Sequence, residues 1–316
     1  MWPATLLAQT TGASLVLEAK IPLGEVSGRI DHLAIDVARQ RLLVAELGNN
    51  SLGVVDLAAR KTLRTLGGLS EPQGVGYEPS SDAVYVANAG DGSVRIFKGD
   101  DFSALGRIEL GDDADNVRID RTRKQVLVGY GNGGIAIIDP TTRAKGAEYR
   151  LRGHPEGFQI DGTGTQLFVN VPDTHEIAVV DLPNAALRSL ATPGLRSNFP
   201  MAVDAEAKRM LVVFRSPPVL MALSSPDTQI IAKAQTCGDA DDVFVDARRQ
   251  RVYVICGVGV VEVFGARGTG YERIAKVSTV SGARTGLFVP ELDRLFVAVR
   301  ASSGEPAAIW VFRPGS

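Results

Sequence analysis

Apolar residues in this chain fall in short runs rich in Val, Ile, Leu, Phe and Tyr, separated by clusters of Gly, Asn, Asp and Pro. Runs of that composition between turn-forming residues predict strands rather than helices. The stretch AVYVANAGDGSVRIF (83–97) displays the unit: one strand enters an Asn/Gly/Asp turn and a second, SVRIF, returns antiparallel. The same beat recurs at 42–57, 125–139, 166–182, 209–223, 251–264 and 294–312, which makes seven copies. A shorter apolar run precedes each pair. These runs end at Asp36, Glu78, Asp120, Asp161, Asp204, Asp246 and Pro290, at spacings of 42, 42, 41, 43, 42 and 44 residues. A period near this value, with four short strands per unit, predicts the blades of a β-propeller.

Polarity orders the strands within a blade. In the third copy an innermost strand at 116–120 is followed by 125–130, apolar at nearly every position, as a strand sandwiched between neighbouring blades must be. A third strand follows at 134–139, and an outer one at about 145–151 alternates and carries charges. Blade seven lacks an outer strand after 307–313, and SLVLEAKIPL (14–23) is free to supply it. Joining the two ends of the chain in one blade pairs otherwise open edges. The expected fold is therefore all-β: a seven-bladed propeller of four-stranded antiparallel blades over 14–316, closed by an N-terminal strand. Residues 1–13 are expected to be a flexible start. Their small and apolar residues, with an Ala-Gln break near Ala8, read as the remnant of a secretory signal peptide.

The words VYVAN (84–88) and VVDL (54–57) resemble the YVTN family of β-propeller repeats, as found in YncE-like proteins, and the resemblance covers nearly the whole chain. It implies a propeller. Because YncE-like proteins are often exported to the bacterial periplasm, it also implies a periplasmic or secreted location. The family is functionally mixed, so the resemblance names architecture rather than activity.

A formal charge of −2 and the lack of any Lys/Arg run argue against a nucleic-acid surface. No apolar run approaches the roughly 18 residues needed to span a bilayer. Cys237, in the loop entering blade six, and Cys256, ending that blade's second strand, are expected near one another on the top face. An oxidising compartment would allow a disulfide and a reducing one would leave two thiols.

Most acidic residues have a structural explanation. Asp36, Asp120, Asp161, Asp204 and Asp246 sit where the innermost strand turns into the second, and Asp56, Asp139 and Asp181 close third strands. At such positions an Asp side chain accepts backbone N–H groups two residues on. Gly131-Asn132-Gly133-Gly134 opens no helix and reads as a hairpin turn, and His175 reads as an exposed hairpin residue. Neither G-x-S-x-G nor H-E-x-x-H occurs.

Candidate chemistry concentrates just before the innermost strands, at the mouth of the central channel. The ligand-binding set expected there is Asp31, His32, Asp115, Asn116, His154, Glu156, Asn198, Asp241, Asp242 and Arg284. Arg29, Gln73, Asp113 and Asp239 lie at the same level. Loops between second and third strands add Glu46, Asn88, Tyr130, Asn170, Arg215 and Arg300. Two of the three histidines, His32 and His154, fall here beside carboxylates, Asp31 and Glu156. An imidazole so placed titrates near neutrality and is the candidate catalytic proton-transfer group. A plainer reading pairs Asp239, Asp241 and Asp242 with arginines of neighbouring blades.

Two functions follow from this pattern. One is a ligand-binding or interaction propeller whose partner is a small polar molecule or another protein. The alternative is a divalent-metal-dependent hydrolase or lyase acting on a lactone- or sugar-like molecule. Asp and Asn oxygens would suit Ca²⁺, whereas a His-rich subset would favour a transition metal as cofactor.

Overall fold

The computed structural model describes residues 13–315. They form seven four-stranded antiparallel sheets. Innermost strands run at Leu33–Asp36, Pro72–Glu78, Ala114–Asp120, Phe158–Ile160, Arg196–Asp204, Ala240–Asp246 and Gly286–Val289. Each packs on the next, and the last packs on the first, so the sheets close into a ring. The proposed remnant of a signal peptide lies outside the described residues.

Burial follows the polarity pattern. Second strands such as Ala83–Asn88 are buried throughout, whereas outer strands such as Lys61–Gly67 are mostly exposed. The core consists of apolar seams between adjacent blades. In one of them Tyr85, Ala87 and Ile96 of blade two meet Val117, Val126 and Val128 of blade three. Gly74 permits this close approach near the mouth: a Cβ there would lie 2.0 Å from the Asp115 carbonyl oxygen of the next blade.

Of the eight turn aspartates, all but Asp181 are capping groups. Asp36 accepts the N–H of Arg39, Asp120 those of Thr122 and Arg123, and Asp246 that of Arg249. Glu78 fills the same position in blade two, accepting from Ser80 and Ser81. Asp56 and Asp139 likewise accept backbone N–H groups.

Leu15–Pro22 pairs antiparallel with Ala308–Pro314 and becomes the outer strand of blade seven. Its register shifts at Glu18, and that carboxylate accepts from Arg294 Nε at 2.6 Å and Arg313 Nε at 2.8 Å. Leu15, Ile21 and Leu23 are buried. Cys237 and Cys256 are joined by a disulfide, with Cα atoms 6.0 Å apart. Among the described residues no helix is long and apolar enough to cross a membrane.

Candidate functional site

Residues at or near the inner-strand starts of all seven blades converge on a cavity of about 330 Å³ at the top of the channel. Its lining is ionisable apart from Gln73 and Phe199. Three arginines occupy one side. Arg284 pairs with Asp239 at 2.9 Å and Asp241 at 2.7 Å, Arg215 bonds Asp241, and Arg29 pairs with Asp31 at 2.6 Å. Blades three and four supply the other side. There His154 Nδ1 lies 2.7 Å from the Gly131 carbonyl oxygen and 3.6 Å from Asp113, while Nε2 lies 3.9 Å from Asp115 Oδ2.

His32 separates this chamber from a second cavity of about 310 Å³ deeper in the channel. Its Nε2 is 3.7 Å from Asp31 and its Nδ1 3.7 Å from Asp242. Among the described residues Asp242 makes no close ion pair with an arginine: it accepts the Gly286 N–H at 2.8 Å and faces the imidazole, with Arg118 acting on it at longer range. Expected pairing of Asp239 and Asp241 with neighbouring arginines is observed, and that of Asp242 is corrected.

Of the ten expected residues, Asp31, His32, Asp115, His154, Glu156, Asp241 and Arg284 line the upper chamber. Asn116 and Asp242 border the narrow passage beneath it. Asn198 does not line it. Its amide nitrogen donates to Asn170 Oδ1 at 3.1 Å and to the Glu176 carbonyl at 3.0 Å, a fully buried brace between blades four and five. Most of the loop residues between second and third strands are also turned inward. Glu46 accepts from Ser51, Asn88 donates to Val86 and Ser93 carbonyls, and Tyr130 bonds Glu148 and Lys145. Arg215 reaches the chamber and is held over the Phe199 ring at 3.7 Å.

Phe199 and Arg118 are among the lining residues that the sequence pattern did not single out. Phe199 enters because the inner strand of blade five is irregular between Asn198 and Met201, which re-aims its side chains. Arg118 lines the lower cavity, donating to the Phe158 and Val117 carbonyls. Its signal was an arginine between Val117 and Ile119, inside the inner strand.

Burial sets the electrostatics. It pushes the Asp31 carboxyl up to about 7 despite His32 and Arg29. Burial, then the Asp115 charge, carries Glu156 up to about 8. Burial also raises Asp241 against the pull of Arg215 and Arg284. For His32 burial opposes the charged ring, yet Asp242, Asp31 and Asp115 outweigh it and carry the group up to about 10. His154 behaves alike: burial opposes, but Asp115, the Gly131 carbonyl, Glu156 and Asp113 bring it up to about 9. Burial would raise Asp115, but His154 and His32 hold it below its ordinary value. The expectation that the two histidines titrate near neutrality is therefore corrected. Each faces carboxylates from more than one blade, not the single sequence neighbour, and is cationic at neutral pH. Asp31 and Glu156 are the groups that titrate near neutrality.

No family model matches the chain, and no curated protein matches it. Among solved structures it is similar to a chain of Kuenenia stuttgartiensis hydrazine synthase, with 15% identity and a TM-score of 0.76. The alignment covers 98% of this chain and 99% of that one. At that identity the likeness establishes a shared propeller fold alone.

Proposed function

We propose that this protein is a ligand-binding propeller whose upper chamber takes a small zwitterionic or hydroxylated molecule. The supporting observation is the chamber itself: about 330 Å³, within the range of small-molecule sites, with Arg29, Arg215 and Arg284 on one side and His154, Asp113, Asp115 and Glu156 on the other. A guanidinium has five N–H donors, so an arginine paired to an aspartate retains donors for a ligand carboxylate. A cationic or hydroxyl group on the same ligand would face the acidic side. Resemblance to YncE-like propellers and the Cys237–Cys256 disulfide together support an exported protein in an oxidising compartment.

Calorimetric titration with a panel of amino acids, betaines and polyols tests this reading. At least one compound is expected to bind at one site per chain. Its affinity should drop by about tenfold or more in His32→Ala, Asp242→Asn and Arg284→Ala, because truncation leaves buried charges unpaired. Asp161→Asn, at a turn on the opposite face, should bind as the wild type does. Failure of the whole panel, or mouth variants that bind normally while Asp161→Asn does not, would overturn it.

A further inference from the structure

We propose that Asp115, His154 and Glu156 form a binding site for one divalent first-row transition-metal ion on the acidic side of the upper chamber. Each residue offers one ligand atom, and the three atoms lie within 4.8 Å of one another. Ligands about 2.0–2.2 Å from a common ion are separated by up to roughly 4 Å, so modest side-chain movement closes the set.

The imidazole is oriented for this role. Its Nδ1 lies 2.7 Å from the Gly131 carbonyl oxygen, which can only accept, so Nδ1 carries a proton whatever the state of Nε2. Nε2 is thereby directed at the chamber, 3.9 Å from Asp115 Oδ2. A backbone carbonyl on the far nitrogen is the usual device that fixes the tautomer of a metal-binding histidine. Any proton held on Nε2 by the surrounding carboxylates leaves to solvent when the ion binds.

A second, independent observation concerns Asp115, which is 4% exposed. Its Oδ1 is buried and meets no hydrogen-bond partner among the described residues. A buried carboxylate oxygen without a donor is costly, and a cation is the partner that would satisfy it beside a second carboxylate. One imidazole nitrogen with two carboxylates suits Zn²⁺, Co²⁺ or Mn²⁺ better than Ca²⁺, which prefers an all-oxygen shell. Coordination positions beyond these three ligands open into the chamber.

The site shares the chamber of the proposed ligand but does not require it, so the probes are metal ions alone. Full-length protein stripped with chelator would be titrated with Zn²⁺ by calorimetry and with Co²⁺ by visible absorption. One equivalent is expected to bind, with affinity falling by about 10- to 100-fold or more in His154→Gln and Glu156→Gln, and unchanged in His175→Ala. Circular dichroism would establish that each variant is folded. Co²⁺ added to the wild type should also shift the ring N–H resonance of one histidine paramagnetically, a readout that needs no variant. No saturable equivalent, binding retained by both ligand variants, binding lost in His175→Ala, or no shifted histidine resonance would each overturn the proposal. Metal binding without small-molecule binding would overturn only the ligand reading, and the reverse would overturn only this one.

Discussion

Asp161 illustrates how one carboxylate serves the fold without chemistry. It accepts backbone N–H groups from Thr165 and Gln166 and hydroxyls from Thr163 and, across the blade boundary, Ser225. Burial would raise its pKa, but these hydrogen bonds outweigh burial and hold it below the ordinary value. A carboxylate whose folded pKa is depressed contributes stability that is present above the unfolded pKa and lost as pH falls through the folded one. Asp161→Asn is therefore expected to lose about 1–3 kcal/mol at pH 7, since an amide cannot accept from all four donors. That difference should shrink as pH drops below about 4, the ordinary Asp value. Urea unfolding of both proteins between neutral pH and pH 3 checks it, and a pH-independent gap would contradict the assignment. At the mouth the same residue type behaves differently. Asp31, Asp115 and Asp241 are buried among charges, not backbone donors, and their protonation depends on side chains from other blades.

At the level of the blade, the hydrophobic pattern places strands well and side chains less well. The seven inner strands and the buried second strands follow from alternation and composition, because a strand between two blades must be apolar on both faces. Local exceptions do not follow. The irregularity in the inner strand of blade five brings Phe199 into the chamber and leaves Asn198 bracing Asn170. In blade six the disulfide links the entering loop to the end of the second strand across 19 residues. Loop closure of that length is worth about 3 kcal/mol by chain entropy. Cys237→Ala/Cys256→Ala is accordingly expected to unfold at lower urea concentration by about that free energy, with little change in the slope of the transition. Indistinguishable midpoints would show that the cross-link contributes no stability.

For the whole molecule, ring closure is the decisive contact. Residues 14–23 bury Leu15, Ile21 and Leu23, satisfy the edge of Ala308–Pro314 and place Glu18 between Arg294 and Arg313. Burial of three aliphatic side chains at about 1.5–3 kcal/mol each already approaches the 5–15 kcal/mol total stability of a typical domain. Deletion of 14–23 is thus expected to lower the thermal midpoint by tens of degrees or to prevent folding. A deletion variant that melts near the wild-type temperature would refute this account of closure. Metal occupancy bears on function at the same scale, because an ion in the chamber would strengthen the metal-dependent hydrolase or lyase alternative. The sequence by itself determined the propeller, the blade count, the closing strand and the level at which polar residues gather, since each is a periodic property of a repeating unit. Tertiary structure alone decided which charges meet: His32 faces Asp242 from blade six, His154 faces Asp115 and Asp113 from blade three, and Asn198 faces away. These partners are distant in sequence, and their geometry arises from the angle between blades and from local strand irregularities, which hydrophobic periodicity does not encode.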